Sequence, residues 1–212
     1  MTLVLHYTSG STATIPHAVI DEIGLPYRLR PMTQGIDQIQ QERHPEAGFR
    51  LSGRIPALED GSSVVFETGA ILLHIVAKPE AARIMPAYGT REFSRFAQWL
   101  FYLTTSPKST LMEIMWPERW GRLADDQEWI RNRAEERLFA QCDYLESNVS
   151  DGTFLSFGLT ALDFYLTELA RWSSVTETPI WRWQKLGRIV DETRSRPSYQ
   201  RMLDMHGISW PS

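Results

Sequence analysis

One stretch constrains this chain more than any other: Arg54-Ile55-Pro56-Ala57-Leu58-Glu59-Asp60-Gly61, then Ser63-Val64-Val65-Phe66-Glu67-Thr68-Gly69-Ala70-Ile71-Leu72. Asp60-Gly61 between two apolar runs is a hairpin signal, because Gly accepts the positive φ of a tight turn. Ala57 to Glu59 and Ser63 to Phe66 are therefore expected to pair as antiparallel strands. Pro56 has no N–H to give to a ladder, so it belongs at the start of its strand. Glu67 to Ala77 is apolar almost throughout, which predicts a buried helix headed by an acid and a hydroxyl. A hairpin that runs straight into a helix returns the chain to the proline. Pro56, Glu67 and a helix N-terminus are thus expected close together.

The residues before this stretch add a β-α-β unit. Leu3 to Tyr7 reads as a short strand and Leu25 to Arg30 as a second. Between them Ile15, Ala18, Val19, Ile20 and Ile23 recur at helical spacing, with Pro16 suited to a first turn and Gly24 to a C-terminal stop. The two strands are expected to lie parallel, joined by a right-handed crossover. Residues 32–52 are polar and poorly periodic, and read as a loop with a weak helix from Ile36 to Arg43. After Lys78-Pro79 the chain reads as helical. One long helix is expected from Arg91 towards Trp116. A second starts at Asp125, three residues before Glu128. A third starts at Thr160, three residues before Asp163. A fourth begins at Thr178-Pro179, and a short last one at Arg196-Pro197-Ser198, stopped at His206-Gly207. The expected organisation is an αβ domain over 1–78, a linker over 79–88 and an all-helical domain over 89–212.

The 212 residues are 42% apolar, enough for a sizeable core. Lys and Arg total 22 against 26 acids, a net charge of −4 that argues against a nucleic-acid partner. A lone cysteine, Cys142, excludes an internal disulfide framework and fits a reducing compartment. Met1 to Leu5 is too short for the core of a signal peptide. The longest apolar run, Ala70 to Ala77, is far below membrane-spanning length. A soluble, cytoplasmic protein without a membrane partner is expected. His6, His17, His44, His74 and His206 show no ligand spacing, so no metal is expected.

An αβ domain, a linker and an all-helical domain are also the layout of the cytosolic glutathione transferases, and four motifs resemble that family in order. They are Arg54-Ile55-Pro56-Ala57-Leu58, Glu67-Thr68-Gly69-Ala70-Ile71, Gly158-Leu159-Thr160-Ala161-Leu162-Asp163 and Arg196-Pro197-Ser198-Tyr199-Gln200-Arg201. The first loop, Tyr7-Thr8-Ser9-Gly10-Ser11-Thr12-Ala13-Thr14-Ile15-Pro16-His17, is similar to the bacterial beta-type branch. Thr12 stands where that branch has its cysteine. Lys108, after Pro107, stands where it usually carries a histidine.

The resemblance implies a thioredoxin-like amino-terminal domain with a cis peptide before Pro56, and glutathione as co-substrate. The main chain of Ile55, next to Arg54 and Pro56, would pair with its cysteinyl part as an added strand does. Thr68, at a helix N-terminus, would hold the γ-glutamyl carboxylate, and Glu67 the ammonium. Lowering a thiol pKa of ~8.5 by two units takes about 2.7 kcal/mol. One or two hydrogen bonds to the anion, at ~1.5–3 kcal/mol each, supply it. Ser11 is the first candidate donor, Thr12 the second and Tyr7 the third; alternatively the loop hydroxyls only satisfy turn backbone. Without a cysteine in the first domain, a mixed disulfide with glutathione is excluded.

Thr105, Lys108, Met112 and Trp116 share helical spacings and are expected to line the site of a small apolar electrophile, or else to be interdomain core. Arg91, Arg95, Trp99 and Tyr102 form another face, which the resemblance assigns to a homodimer interface. Two activities fit: a glutathione transferase working through a hydroxyl-stabilised thiolate, or a binding or regulatory protein that keeps the fold without catalysis.

Overall fold

The computed structural model describes residues 2–32 and 55–211. It divides into two compact units, residues 1–85 with 196–210, and residues 86–195 with 211–212.

The first unit is built on a four-stranded sheet in the order β2-β1-β3-β4, with β1 at Leu3–Tyr7, β2 at Tyr27–Pro31, β3 at Ala57–Asp60 and β4 at Ser63–Phe66. β1 and β2 are parallel, as the β-α-β pattern requires, and β3 is antiparallel to both β1 and β4. The hairpin turns where Asp60 faces Ser63, with Gly61 at φ 60°. Leu3 and Leu5 of β1 are buried, as are Ala57 and Leu58 of β3. Helix α1, Thr14–Ile23, ends at Gly24, which takes φ 76° and closes the last turn. Helix α2, Thr68–Val76, buries Ile71, Leu72, Ile75 and Val76 and packs beside α1. The last helix of the chain, Pro197–His206, also packs on α1, whereas the sequence pattern assigns all of 89–212 to the helical domain. Its anchors are ionic: Arg196 donates to Glu22 at 3.0 and 2.6 Å, Ser198 at 2.6 Å, and Arg201 to Asp21 at 2.9 and 2.5 Å. The weak helix expected over Ile36 to Arg43 lies outside the described residues.

In the second unit, the helix expected to run unbroken from Arg91 towards Trp116 is two helices, α3 at Arg91–Thr105 and α4 at Pro107–Met115. The break has a local cause. Pro107 has no N–H to give to the carbonyl four residues back, and its ring displaces that carbonyl. Helix α5, Ala124–Asn148, starts one residue before the expected Asp125. Its first turn is held by Asp126, whose carboxylate accepts from the Leu123 N–H at 3.3 Å, and not by Glu128. Helix α6, Ala161–Trp172, is buried from Ala161 to Ala170 and packs against α3, α4 and α7, the last at Gln184–Arg194. The Thr178-Pro179 start is a 3-10 turn over Ile180–Arg182, and α7 follows it. The carboxylate of Glu146, on α5, accepts from the N–H groups of Lys185 (2.9 and 3.0 Å) and Leu186 (3.1 Å) and so caps α7 from a distant part of the chain. The Pro197–His206 helix is α8.

Cys142 is fully buried on α5, and burial pushes its thiol up to about 12. A thiol so placed is almost wholly protonated at neutral pH. Native protein is expected to resist thiol-labelling reagents that label the urea-unfolded chain at once; equal labelling rates would contradict this packing. Among the described residues no helix is long and apolar enough to cross a membrane, and no group of three or more His, Cys, Asp and Glu gathers as for a metal ion.

Candidate functional site

The sheet topology gathers the amino-terminal candidates at one end. β1 and β2 both finish there, being parallel. Ala57 pairs with His6 on one side and Phe66 on the other, so β3 starts and β4 finishes at the same end. Pro56 precedes Ala57, Tyr7 follows His6 and Glu67 follows Phe66. The Ile55–Pro56 peptide is cis, as expected from the resemblance. Helices α1 and α2 both start at this end, so the partial positive charge of two N-terminal turns converges on it.

Glu67 is the sole described non-glycine residue with positive φ, at φ 70°, ψ 124°. Such a backbone costs on the order of 1–3 kcal/mol outside glycine and persists where surrounding structure holds it. The Glu67 carbonyl accepts the first bond of α2, from the Ile71 N–H at 2.9 Å, and Thr68 is buried behind it. The strained acid is therefore fixed at the mouth of the helix. Glycine there would relax the backbone. Glu67→Gly is expected to keep the unfolding midpoint within about 1 kcal/mol of wild type while losing the carboxylate. Urea unfolding checks the first half.

The loop after β1 treats the hydroxyls of Ser11 and Thr12 differently. The Ser11 hydroxyl donates to the Thr8 carbonyl at 2.7 Å and accepts from the Ala13 N–H at 3.3 Å. A serine has one proton to donate, and here it is used. Ser11 thereby closes the turn that leads into α1, together with Ser11 N–H to Thr8 and Thr14 N–H to Ser11, both 3.1 Å. Thr12, 9% exposed at the start of α1, has no side-chain hydrogen bond to a described residue. The Tyr7 hydroxyl likewise has none among the described residues, and its ring lies 4.7 Å from that of His206.

Behind the loop lies a buried polar chain that residue spacing alone does not reveal. His206 Nε2 and His17 Nδ1 are 3.1 Å apart, His17 Nε2 and the Tyr27 hydroxyl 2.9 Å, and that hydroxyl donates to Asp21 Oδ1 at 3.1 Å. Ser9 donates its hydroxyl to the His206 carbonyl. Burial lowers the His17 pKa to about 4, against the pull of Asp21. Burial, with Asp21 adding to it, raises the Tyr27 phenol to about 12. His17 thus contributes stability that is present above its unfolded pKa of ~6.5 and lost as pH falls through about 4. His17→Gln is expected to flatten this part of the stability–pH profile, measured by urea unfolding from pH 7 to 4.

Of the remaining candidates, Arg54 lies outside the described residues. Thr105, Lys108, Met112 and Trp116 belong to the second unit. They do not form one continuous helical face as expected, because Thr105 ends α3 and bonds back to the Phe101 carbonyl at 2.8 Å. Lys108 and Met112 share a face of α4, and Trp116 caps its end with Arg119 over the ring at 4.6 Å. Trp99 is buried, with its ring among Tyr102, Tyr144 and Phe154, so it is core and not an exposed face with Arg91 and Arg95.

Residues 2–77 match the family model of the glutathione S-transferase N-terminal domain. Among solved structures, a glutathione transferase homologue from Sulfitobacter with bound glutathione is 21% identical, with 98% of this chain and 99% of that chain covered, at a TM-score of 0.80. A beta-class glutathione S-transferase from Sphingomonas chungbukensis is 21% identical over 97% and 100%, at 0.77. A glutathione transferase from Phanerochaete chrysosporium with oxidised glutathione is 17% identical over 97% and 95%, at 0.83.

Proposed function

We propose, for a chain whose residues 2–77 carry the glutathione S-transferase N-terminal domain and whose whole length takes the glutathione-transferase fold, that it conjugates glutathione to small apolar electrophiles. The observation that carries this reading is the convergence of the Thr12 loop, Pro56 and the strained Glu67–Thr68 corner at one end of the sheet, where two helices begin. The Ile55 main chain pairs with the cysteinyl part of the tripeptide. The N-terminus of α2 and the Thr68 hydroxyl take the γ-glutamyl carboxylate, and Glu67 takes the ammonium. The sulfur then reaches the start of α1.

Thr12 stands ahead of Ser11 as the thiolate donor in this reading, because the Ser11 proton is committed to Thr8. Tyr7 is the remaining candidate. The thiolate attacks the electrophilic carbon, the S–C bond forms as the leaving group departs with its electron pair, and the thiol proton has already gone to solvent. Lys108, Met112 and Trp116 are assigned to the electrophile, with Lys108 countering the negative charge that develops on it. A homodimer and a cytoplasmic location accompany the reading.

The test is a titration with glutathione followed by tryptophan fluorescence, together with conjugation of a generic aryl halide. Binding with turnover supports a transferase. Binding without turnover on a broad electrophile panel supports a non-catalytic binding protein, and no binding removes both. Glu67→Gly is expected to weaken glutathione binding about 10–100-fold, the worth of a charge-assisted hydrogen bond, at nearly unchanged stability.

A further inference from the structure

We propose that His206, on the last helix, is a positioning residue of the loop that holds the sulfur, and that a one-way chain of hydrogen bonds through His17 fixes it there. The loop half of the proposal stands on the geometry alone; the sulfur half rests on the transferase reading above.

The direction of the chain follows from its far end. Arg201 donates to Asp21 Oδ2 at 2.9 and 2.5 Å, so Asp21 is a carboxylate and accepts only. The Tyr27 hydroxyl must therefore spend its proton on Asp21 Oδ1, which outcompetes the weakly accepting sulfur of Met205 at 3.6 Å. With that proton spent, the Tyr27 oxygen accepts from His17 Nε2 at 2.9 Å. His17 therefore carries its proton on Nε2, and its bare Nδ1 accepts from His206 Nε2 at 3.1 Å. Every donor has one acceptor, and reversing one link leaves two protons or two lone pairs facing each other. His17 is 0% and His206 4% exposed, so water does not substitute for a lost link.

The near end of the chain is the loop. The His206 ring lies 4.7 Å from the Tyr7 ring, and its carbonyl accepts the Ser9 hydroxyl. The last residue of β1 and one residue of the loop after it thus rest on one histidine, while Ser11 and Thr12 continue the same turn into α1. The residue that sets the loop is 189 positions from its partner His17. The anchor of α8, Arg201, is at the opposite end of the relay. Displacing α8 therefore frees the loop, although no residue of α8 carries out chemistry.

His206→Leu removes the donor, and His206→Gln keeps an N–H donor at about the same reach. The activity-free readout is amide hydrogen exchange at Ser11, Ala13 and Thr14. Exchange is expected to speed up about tenfold in His206→Leu, the worth of about one hydrogen bond, and to stay within about threefold of wild type in His206→Gln. Ser9→Ala, a small change at the loop, is expected to loosen the same amides and keeps the test alive should His206→Leu not fold. For the sulfur half, His206→Leu is expected to lower the thiolate absorbance of bound glutathione and to cut kcat about tenfold with KM for glutathione within about twofold, both restored by His206→Gln. Unchanged exchange in His206→Leu and Ser9→Ala overturns the proposal, as does a glutamine variant as damaged as the leucine one. A wild type that binds no glutathione sinks the transferase reading and the sulfur half alone; the exchange comparison still decides the loop half.

Discussion

Asp163→Ala is expected to cost roughly 3–5 kcal/mol of stability. The Asp163 carboxylate is fully buried and accepts three bonds: from the Phe154 N–H at 2.7 Å, the Thr160 N–H at 2.7 Å and the Thr160 hydroxyl at 2.9 Å. Alanine leaves two amides and a hydroxyl buried without an acceptor, at ~1–3 kcal/mol each, and only the hydroxyl can turn elsewhere. The urea midpoint should fall with the m-value unchanged. A loss below about 1 kcal/mol would mean that the loop before α6 relaxes and re-pairs its own amides. Burial raises the Asp163 pKa from 3.8 to about 6, outweighing the bonds from Phe154 and Thr160. Its contribution to stability is therefore fully present below about 3.8 and lost as pH rises through about 6, opposite in sign to that of His17. The two windows overlap, so wild type hides both and single variants separate them.

The second large effect is on turnover. Thr12→Ala is expected to lower kcat/KM about 10–150-fold, the loss of one hydrogen bond of ~1.5–3 kcal/mol to a thiolate. Binding of glutathione should change little, since the tripeptide is gripped at Glu67 and Thr68. Ser11→Ala should behave differently, because that hydroxyl ties Thr8 to Ala13. It should cost about 1 kcal/mol of stability, as lost caps do, and leave most of the turnover. Steady-state kinetics of both variants at saturating electrophile decide the matter. A Ser11 variant more impaired in turnover than the Thr12 variant would reverse the assignment.

Where sequence and structure agree, the signal was local. The Asp60-Gly61 turn, the Gly24 and Gly207 stops, and the Thr160–Asp163 cap each depend on residues a few positions apart, whose geometry a short segment dictates. The Pro107 break was equally local, since a proline in a helix interior stops the pattern whatever surrounds it, yet the sequence reading carried one helix from Arg91 towards Trp116 through it. The start of α7 was not local. Its cap comes from Glu146, about forty residues earlier, and Gly187 is needed because a Cβ would meet the Trp181 carbonyl oxygen at 2.6 Å. The site divides the same way. Pro56, Glu67 and Thr68 follow from a hairpin that runs into a helix. The difference between Ser11 and Thr12 depends on which neighbour takes one proton, a choice of rotamer and turn geometry that spacing does not encode.

The amino acids in order were enough to specify the strands and most of the helices, the gathering of proline, acid and hydroxyl beside a helix start, and the family resemblance, because these follow from propensity, turn chemistry and periodicity along contiguous residues. The folded chain alone decided that the last helix seats on the first unit, and that His17 and His206 meet behind the loop. Contacts between residues so far apart depend on how whole elements pack, and a side chain's partner is then set by position in space.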